Sequence, residues 1–415
     1  MAERKRVVIT GMGIMSPLGE TVDEYWDALV QGRSGIGPMT MADPTGFPCR
    51  IAGEVTSFDP ASYIDGREAR RMARFSQMAV ASAVRAMEQS GLNGSNMDPD
   101  AAGVLLGNGN GGMPVTQEQA KVLFERGGMK ESPFFIPMIL PNMAAAQVSR
   151  ILGLRGYTNT VITACAAGTQ AIGEAAEVIR RGAAKVVVSG GTEAGICELA
   201  LGGFSVIKAL SSSNEDPARA SRPFEANRDG FVPGEGAASL VLEEMEHALG
   251  RGANILGEVV GYGVSSDAFH PVHPDDNGDG AARAMRWALA DAGIMPEEID
   301  YINAHGTSTP LNDAVETLAI KQVFGDAAYK VPISSTKSMI GHALGAAGAV
   351  EAVAAVKSIE TGTIHPTINY EDPDPACDLD YVPNVARSAD VQTVLSNSFG
   401  FGGQNACLVI RRFQE

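Results

Sequence analysis

Apolar stretches with strand composition alternate along this chain with stretches of helical periodicity. β-branched runs occupy residues 6–13 and 157–165, and a further apolar run at 101–112 enters a glycine-rich loop. Helical patterns follow at 75–92 and at 166–182, and both close on glycine, a residue typical of helix C-termini. Continuous apolar strands separated by helices predict an α/β protein whose sheets are covered on both faces.

The second part of the chain repeats this pattern. Residues 281–308 carry a helix and then a strand, and residues 331–362 carry a strand, a turn and a long alanine-rich helix, as the region around 157–182 does. We therefore predict a degenerate internal duplication, with an N-terminal half at 1–254 and a C-terminal half at 255–415.

The duplication predicts which distant residues become neighbours. In this alignment Cys165 and His342 occupy matching places, each just before a long helix. Two equivalent sheets packed face to face would bring the helix starts of both halves to one shared edge. A thiol and an imidazole far apart in sequence would then meet.

Composition limits the class of protein. A chain of 415 residues with 45% hydrophobic and 20% charged residues is typical of a soluble globular protein. The net charge of −17 disfavours nucleic-acid binding. We expect no membrane helix and a cytoplasmic location, because no apolar run approaches about 18 residues and the charged N-terminus has no signal-peptide pattern. The five scattered cysteines indicate reduced thiols.

Cys165 is the first candidate for chemistry. Small residues surround it, and it precedes a helix whose N-terminal N–H groups and dipole favour a thiolate. A small buried hydrophobe is the alternative reading of an isolated cysteine.

Two histidines lie where α/β folds display catalytic groups. His305 ends an apolar strand, and His342 begins a helix with Lys337 one turn upstream. The pair His270 and His273 could suggest a metal site, but a proline follows each histidine and makes helical presentation of the two rings unfavourable.

Four arginines run against the acidic balance of the chain. Their spacing predicts that all four share one helix face: Arg67, Arg70, Arg71 and Arg74. A solvated or dimer-pairing face is one interpretation, and a docking patch for an acidic partner is the other.

Five ordered segments carry a family resemblance that spans essentially the whole chain. They are TACAAG, SRPFEANRDGFVPGEGA, NAHGTSTPLND, STKSMIGHALGAAGAVEA and NSFGFGG. Together they resemble the β-ketoacyl-acyl-carrier-protein synthases, the type II condensing enzymes of fatty-acid synthesis. The resemblance implies a thiolase-like α/β fold in αβαβα layers, a homodimer, and decarboxylative condensation of an acyl chain with a malonyl group on acyl carrier protein. It implies no cofactor, since the phosphopantetheine arrives on the carrier.

The resemblance also implies roles for individual residues. Cys165 would take the acyl group as a thioester, and His305 and His342 would donate hydrogen bonds to the malonyl thioester oxygen as carbon dioxide leaves. Lys337 would orient the histidines by charge and hydrogen bonding. Backbone N–H groups of Cys165 and Phe401 would hold the oxyanion.

Further positions match the family pattern around this centre. Phe401, between glycines, would be a gate for the acyl chain, and Glu351 would anchor the site from behind. A monovalent cation, sodium or potassium, would be held by Asn303, Ala304, Glu351, Ser396 and Asn397. The substrate and its pantetheine arm would contact Thr307, Thr309, Phe204 and Asn110. The carrier protein would dock on Arg67, Arg70, Arg71 and Lys208, which favours the docking interpretation of the arginines.

Three departures from the family pattern stand out. TACAAG lacks two hydroxyls beside the nucleophile, Pro233 replaces an aliphatic residue, and Asn110 stands where an apolar residue lines the acyl pocket. A buried unpaired amide costs about 1–3 kcal/mol. We therefore predict either a shorter or differently shaped acyl pocket, or an Asn110 amide bonded to neighbouring backbone.

Rival functions are weaker. Gly107, Gly109 and Gly112 match the G-x-G-x-x-G pattern of dinucleotide-binding oxidoreductases, but the following stretch lacks an acidic residue at a strand end. A chain-length factor, which shares the fold without the nucleophile, is disfavoured because Cys165 is present. An active ketosynthase of a type II polyketide or polyene pathway remains the alternative.

Overall fold

Strands and helices alternate along the chain as the sequence predicts. The computed structural model describes residues 4–415. The strands are β1 (Val7–Met15), β2 (Ile36–Pro38), β3 (Ile51–Gly53), β4 (Ala102–Gly107), β5 (Thr158–Val161), β6 (Val186–Glu193), β7 (Gly236–Glu244), β8 (Gly257–Ser266), β9 (Tyr301–Asn303), β10 (Ile333–Ser334), β11 (Thr363–Ile364), β12 (Arg387–Ser388), β13 (Thr393–Gly400) and β14 (Gln404–Arg411). The α-helices are α1 (Val22–Val30), α2 (Gly66–Ala69), α3 (Arg74–Ser90), α4 (Met113–Arg126), α5 (Phe135–Ile139), α6 (Met143–Leu152), α7 (Ala167–Arg180), α8 (Glu198–Val206), α9 (Met245–Gly250), α10 (Asp279–Ala292), α11 (Pro310–Phe324), α12 (Lys337–Ile340) and α13 (Ala347–Thr361).

The large sheet contains the same strand order twice. Its ladder runs β10-β9-β13-β14-β8-β1-β7-β6-β4-β5. Counted within each half, both sides read third, second, fourth, fifth, first. The directions match as well: β4 is parallel to β5 and β6 as β9 is to β10 and β13, and the remaining pairs are antiparallel. This repetition supports the proposed duplication, and a boundary at residue 254, between α9 and β8, remains our proposal.

A layer of helices separates the two halves of the sheet. The halves join edge to edge through β1 and β8, where Val8 pairs with Glu258 and Ile9 with Gly257. Helices α7 and α13 contact strands of both halves, while α3 covers the outer face of one half and α10 that of the other. The αβαβα layering is therefore confirmed, with α7 and α13 forming the helix layer between the two halves of the sheet.

The composition of the two central helices explains their position. In α13 every residue from Ala347 to Ile359 is buried, and α7 buries most of its length. A helix that is apolar all round belongs in an interior, and alanine permits close packing without loss of helix propensity. None of the helices within residues 4–415 is long and apolar enough to span a bilayer.

Candidate active site

Two close helix starts create the site. A short 3-10 turn precedes each central helix: Ala164–Ala166 before α7, and Leu344–Ala346 before α13. A Cβ on Gly168 would lie 2.9 Å from the Ala349 nitrogen, and one on Gly348 would lie 1.9 Å from Thr169 Oγ1. Glycine in the first turn of each helix thus allows the helices to cross closely, which brings both helix starts together.

A cavity of about 560 Å³ opens at this crossing. It brings together most of the residues that the sequence singled out: Cys165, His305, His342, Phe401, Thr307, Thr309, Phe204, Asn110 and Lys208. Other predicted residues lie outside its lining: Lys337, Glu351, Asn303, Ala304, Ser396, Asn397, Arg67, Arg70 and Arg71.

The Cys165 thiol is neutral at rest. Cys165 is 8% exposed, and burial raises the pKa of its thiol to about 12. The charge of Lys337 and the backbone N–H of Phe401 lower the pKa, but less than burial raises it. The expectation that the helix N-terminus favours a resting thiolate is therefore wrong here, because desolvation of the anion dominates.

Both histidines are neutral as well. The rings of His305 and His342 meet edge to face with centroids 5.4 Å apart, and each residue is 2% exposed. Burial, and then the charge of Lys337, hold both pKa values well below 6.5. Within residues 4–415, Nδ1 of His305 and both ring nitrogens of His342 have no hydrogen-bond partner. Neutral imidazoles with free ring nitrogens are suited to donate N–H groups to a ligand oxygen.

Lys337 acts on the histidines through its charge. Its Nζ donates to Glu351 Oε1, and both side chains are buried. This contact uses one of the three ammonium N–H donors and holds Glu351 behind the site. Among residues 4–415 no hydrogen bond joins Lys337 to the ring nitrogens of His342 or to Nδ1 of His305, so the charge of Lys337 is the effect that the structure shows.

The proposed cation ligands pass a test of fit. Asn303 Oδ1, Ser396 Oγ and Glu351 Oε2 are buried oxygens without a hydrogen-bond partner among residues 4–415. Oxygen ligands suit sodium or potassium, so this donor set is compatible with a monovalent cation. Such an ion would supply positive charge next to the Lys337–Glu351 pair.

The mouth of the cavity carries the groups expected to meet a pantetheine arm. Thr307 and Thr309 lie side by side, with their hydroxyls 2.9 Å apart. Phe401 is half-buried and packs against Phe204 at 6.5 Å between centroids. The next two residues, Gly402 and Gly403, have φ angles of 82° and 67°, a region that only glycine adopts freely. A turn of this kind is consistent with a movable Phe401.

Asn110 lines the cavity, and its amide nitrogen lies 3.3 Å from the place that a Cβ on Gly195 would take. The carboxylate of Glu193 accepts from the Asn110 backbone N–H at 3.2 Å, whereas the side-chain amide bonds to no described residue. The second alternative, an amide satisfied by neighbouring backbone, is therefore not what the structure has. A polar pocket wall remains.

Pro233 fits because its position needs no N–H. His342 donates its backbone N–H to Val232 O at 2.8 Å, and Gly234 donates to His342 O at 3.0 Å. The segment thus holds the His342 backbone through the neighbours on either side of the proline. This departure from the family pattern leaves the site intact.

The arginines do not share one helix face. Helix α2 ends at Ala69, and Arg74 begins α3, so the helical spacing is broken between them. Arg74 donates to Glu235 at 2.8 and 2.9 Å and is half-buried. Arg67, Arg70 and Arg71 remain exposed. The expected group of four is wrong, and three arginines remain as surface cations.

The glycines of the G-x-G-x-x-G pattern allow close packing of neighbouring segments. A Cβ on Gly107 would lie 2.3 Å from the Ala167 carbonyl, and one on Gly109 would lie 2.5 Å from Glu193 Oε2. These glycines admit the start of α7 and a buried carboxylate, which leaves no open cradle for a pyrophosphate. The dinucleotide reading therefore has no structural support.

Cys165 and His342 are not equivalent positions. Ala164 and Leu344 both have positive φ, 49° and 45°, and both begin the turn before a central helix. The match places Cys165 opposite Gly345, three residues after His342. The predicted correspondence is therefore wrong by one turn, although the two side chains still reach one cavity.

Two buried glutamates escaped the sequence reasoning. Glu316 on α11 accepts from the backbone N–H groups of His305 and Gly306, each at 2.8 Å. Glu193 at the end of β6 accepts from three backbone N–H groups. Burial raises the pKa of each to about 7. The signal in the sequence was an acidic residue inside an apolar strand or helix.

Comparison with known proteins identifies the family. The family models for the beta-ketoacyl synthase N-terminal and C-terminal domains match residues 4–248 and 256–371. A "3-oxoacyl-[acyl-carrier-protein] synthase 2" from Synechocystis sp. is 50% identical over 412 residues, 99% of each chain. The chain therefore belongs to the β-ketoacyl synthase family, and its fold is thiolase-like.

Solved structures agree along the whole chain. The ishigamide ketosynthase/chain length factor is 40% identical, with a TM-score of 0.93 over 99% of this chain and 100% of that one. A type II PKS acyl-carrier protein in complex with its ketosynthase gives 37% identity and a TM-score of 0.91 over the same shares.

Proposed function

We propose that this chain is a 3-oxoacyl-[acyl-carrier-protein] synthase that elongates acyl chains in fatty-acid synthesis. The observation that carries the proposal is the single cavity lined by Cys165, His305 and His342, one thiol from the first half and two imidazoles from the second. The activity named for the Synechocystis relative, 50% identical along the whole chain, supports it.

Acyl transfer to Cys165 comes first. Its sulfur attacks the thioester carbonyl of an acyl carrier, a new C–S bond forms, and the carrier thiol leaves with the proton from Cys165. The N–H groups of Cys165 and Phe401 lie close to the thiol and stabilise the oxyanion. One such donor contributes about 2.7–4 kcal/mol in enzymes where it has been removed.

Decarboxylation and condensation follow at the histidines. Carbon dioxide leaves the malonyl group, and the electron pair of the broken C–C bond forms an enolate whose oxygen accepts N–H bonds from His305 and His342. The enolate carbon attacks the acyl-Cys165 carbonyl, forms the new C–C bond and expels the Cys165 sulfur, which regains a proton. Loss of carbon dioxide drives the reaction, so no redox cofactor takes part.

Partners follow from the surface around the cavity. An acidic acyl carrier protein would dock on Arg67, Arg70, Arg71 and Lys208, all exposed, with its pantetheine arm beside the two threonines. A second copy of the chain would pair along β5, the exposed edge strand of the large sheet, which the exposed apolar residue Ile162 follows directly. We propose this homodimer, and a cytoplasmic location consistent with the unpaired cysteines.

A ketosynthase of a polyketide or polyene pathway is the second candidate. Its support is the similarity to the ishigamide ketosynthase/chain length factor, at 40% identity. The 50% identity to the curated relative favours fatty-acid elongation. Carrier preference separates the two: a fatty-acid enzyme turns over with a fatty-acid carrier protein and saturated acyl chains.

Mass spectrometry tests the proposal. The protein is incubated with saturated acyl carriers of several lengths, and the mass added to the peptide that contains Cys165 is read; malonyl carrier is then added and the 3-oxoacyl product is measured. We expect an acyl adduct on Cys165 that disappears as product forms. An adduct on another cysteine, or no product with any chain length, would refute the proposal.

A further inference from the structure

Glu193 joins three parts of the chain at the cavity wall. It is fully buried at the end of β6. Its Oε2 accepts from the N–H groups of Gly109 at 2.9 Å and Gly345 at 3.1 Å, and its Oε1 accepts from Asn110 at 3.2 Å. Among residues 4–415, no lysine or arginine pairs with this carboxylate.

Each of these partners borders the cavity or adjoins a residue that does. Gly109 and Asn110 line it from the loop after β4, and Gly345 follows Leu344, which lines it from the start of α13. The carboxylate therefore ties a loop of the first half to a helix start of the second. Three N–H bonds thus converge on one buried carboxyl group, so a change at Glu193 affects both segments at once.

We propose that Glu193 is a positioning residue that sets the acyl-chain selectivity of the enzyme by holding Asn110 and Leu344 at fixed places in the cavity wall. The proposal rests on the proposed condensing activity. It does not require Glu193 to touch the substrate: the carboxylate acts through the backbone of its partners, and the wall that they form determines which chain fits.

The geometry predicts what a neutral replacement does. Glu193→Gln keeps the side-chain length but replaces one acceptor oxygen by an NH2 group, which then faces N–H donors. At least one of the three bonds is lost, and the loop or the helix start moves. Asn110 and Leu344 are then held less firmly in the cavity wall. The enzyme should therefore distinguish less well between acyl chains that differ by two carbons.

The measurement is kcat/KM of wild type and Glu193→Gln over a series of saturated acyl carriers. We expect the ratio between the preferred chain and the chain two carbons longer to fall about tenfold, the size of effect expected when one buried hydrogen bond is lost. We expect malonyl decarboxylation to stay within about twofold, since Glu316 and Val232, and not Glu193, accept the backbone N–H groups of His305 and His342. The charge of Glu193 also raises the pKa of Cys165, but this affects all chain lengths alike and cancels in the ratio.

Glu243→Gln is the matched control. Glu243 is equally buried, but its carboxylate accepts from Arg251 and Thr10 and lies outside the cavity wall. This variant should lose stability without a change in the chain-length ratio. If Glu193→Gln does not fold, Gly109→Ala tests the same contact, because its Cβ would lie 2.5 Å from Glu193 Oε2 and displace the carboxylate.

The outcomes are distinct. A changed ratio with preserved decarboxylation supports the positioning role. A ratio within twofold of wild type, or an equal loss for all chain lengths and for decarboxylation, overturns it. Wild type that condenses no acyl chain at all would refute the proposed function instead.

Discussion

The turns that precede α7 and α13 have nearly the same backbone conformation but carry different side chains. Each begins with a non-glycine residue at positive φ, Ala164 at 49° and Leu344 at 45°, and each continues into a buried central helix. The next position is Cys165 in one half and Gly345 in the other. One helix start therefore presents a thiol to the cavity, while the other presents backbone alone.

The strand ends opposite these positions complete the contrast. Gly400 is the last residue of β13, and because it has no side chain it leaves the Cys165 N–H uncovered. A Cβ at Gly400 would lie 3.1 Å from the Cys165 nitrogen. Its counterpart at the end of β6 is Glu193, whose Oε2 accepts the Gly345 N–H at 3.1 Å. A carboxyl oxygen of the protein thus occupies, in one half, the place that a substrate oxyanion would take in the other. The fold therefore supplies two equivalent N–H sites, at Cys165 and at Gly345. The Glu193 side chain fills the second, and the first stays accessible to a substrate.

The histidines show the same asymmetry. Counted along the paired strands, His305 corresponds to Gly107. Counted back from the matched helix starts, His342 corresponds to Ile162. The second half thus supplies both imidazoles and the first half supplies the thiol. The site is a mixture of the two halves, with each chemical group present once.

Removing the thiol should have the largest effect. Cys165→Ala should lower condensation by about 10⁴-fold or more, because no covalent acyl intermediate can form. Malonyl decarboxylation should persist, since both histidines are intact. Rates of product and carbon dioxide release check the two parts, with Cys49→Ala, buried away from the cavity, as control. Condensation by Cys165→Ala at more than a few per cent would contradict the assignment.

Removing an imidazole should have the next largest effect. His342→Ala should leave acylation of Cys165 measurable and slow decarboxylation by about 10²–10³-fold, the loss expected for one donor to a developing oxyanion. Acyl adduct formation and carbon dioxide release report the two steps. Near-native condensation by this variant would show that the histidine has another role.

Adding a side chain at Gly345, the counterpart of Cys165, should lower the stability of the fold. A Cβ on Gly345 would lie 2.4 Å from the Gly109 nitrogen. Gly345→Ala should therefore lower the free energy of unfolding by about 1–3 kcal/mol, measured by denaturant titration. Gly250→Ala, where a Cβ meets nothing within 4 Å, is the control. Equal stability of both variants would mean that the two helix starts tolerate the same side chains.

The smallest expected effect is a difference in pH dependence. Burial raises the pKa of Cys165 to about 12, so the thiolate fraction, and with it the acylation rate, should rise by up to about tenfold per pH unit between pH 6.5 and 8.5. The histidine pKa values lie well below 6.5, so both rings stay neutral and decarboxylation should be flat over this range. Single-turnover rates of each step check this. A decarboxylation rate that falls on going from pH 8 to 7 would contradict neutral histidines.

Much of this arrangement could be predicted from the sequence. The periodicity located α3 and its glycine end, since Gly91 takes the left-handed conformation at φ 69°. The repeated order of strands and helices predicted that Cys165 of the first half meets His305 and His342 of the second, and all three line one cavity. These features follow from local pattern, which a single sequence records.

The wrong predictions concern features that depend on tertiary contacts. Helical spacing placed Arg74 on one face with the other arginines, although the helix ends before it and its guanidinium donates to the buried Glu235. The helix-terminus argument for Cys165 omitted burial, which depends on the other half of the molecule. Glu193 could be noticed as a charge in an apolar strand, but its N–H partners come from two distant segments. Such partners are defined only by the tertiary fold.

The separation of the reactive groups along the chain has a consequence for biosynthesis. Cys165 leaves the ribosome before His305, His342 and Phe401 have been made. Until α13 docks against α7, the thiol has no oxyanion donor from β13 and no imidazole beside it. An incomplete chain therefore lacks the groups that assist acyl transfer and decarboxylation, and neither step is supported until the second half has been made and packed.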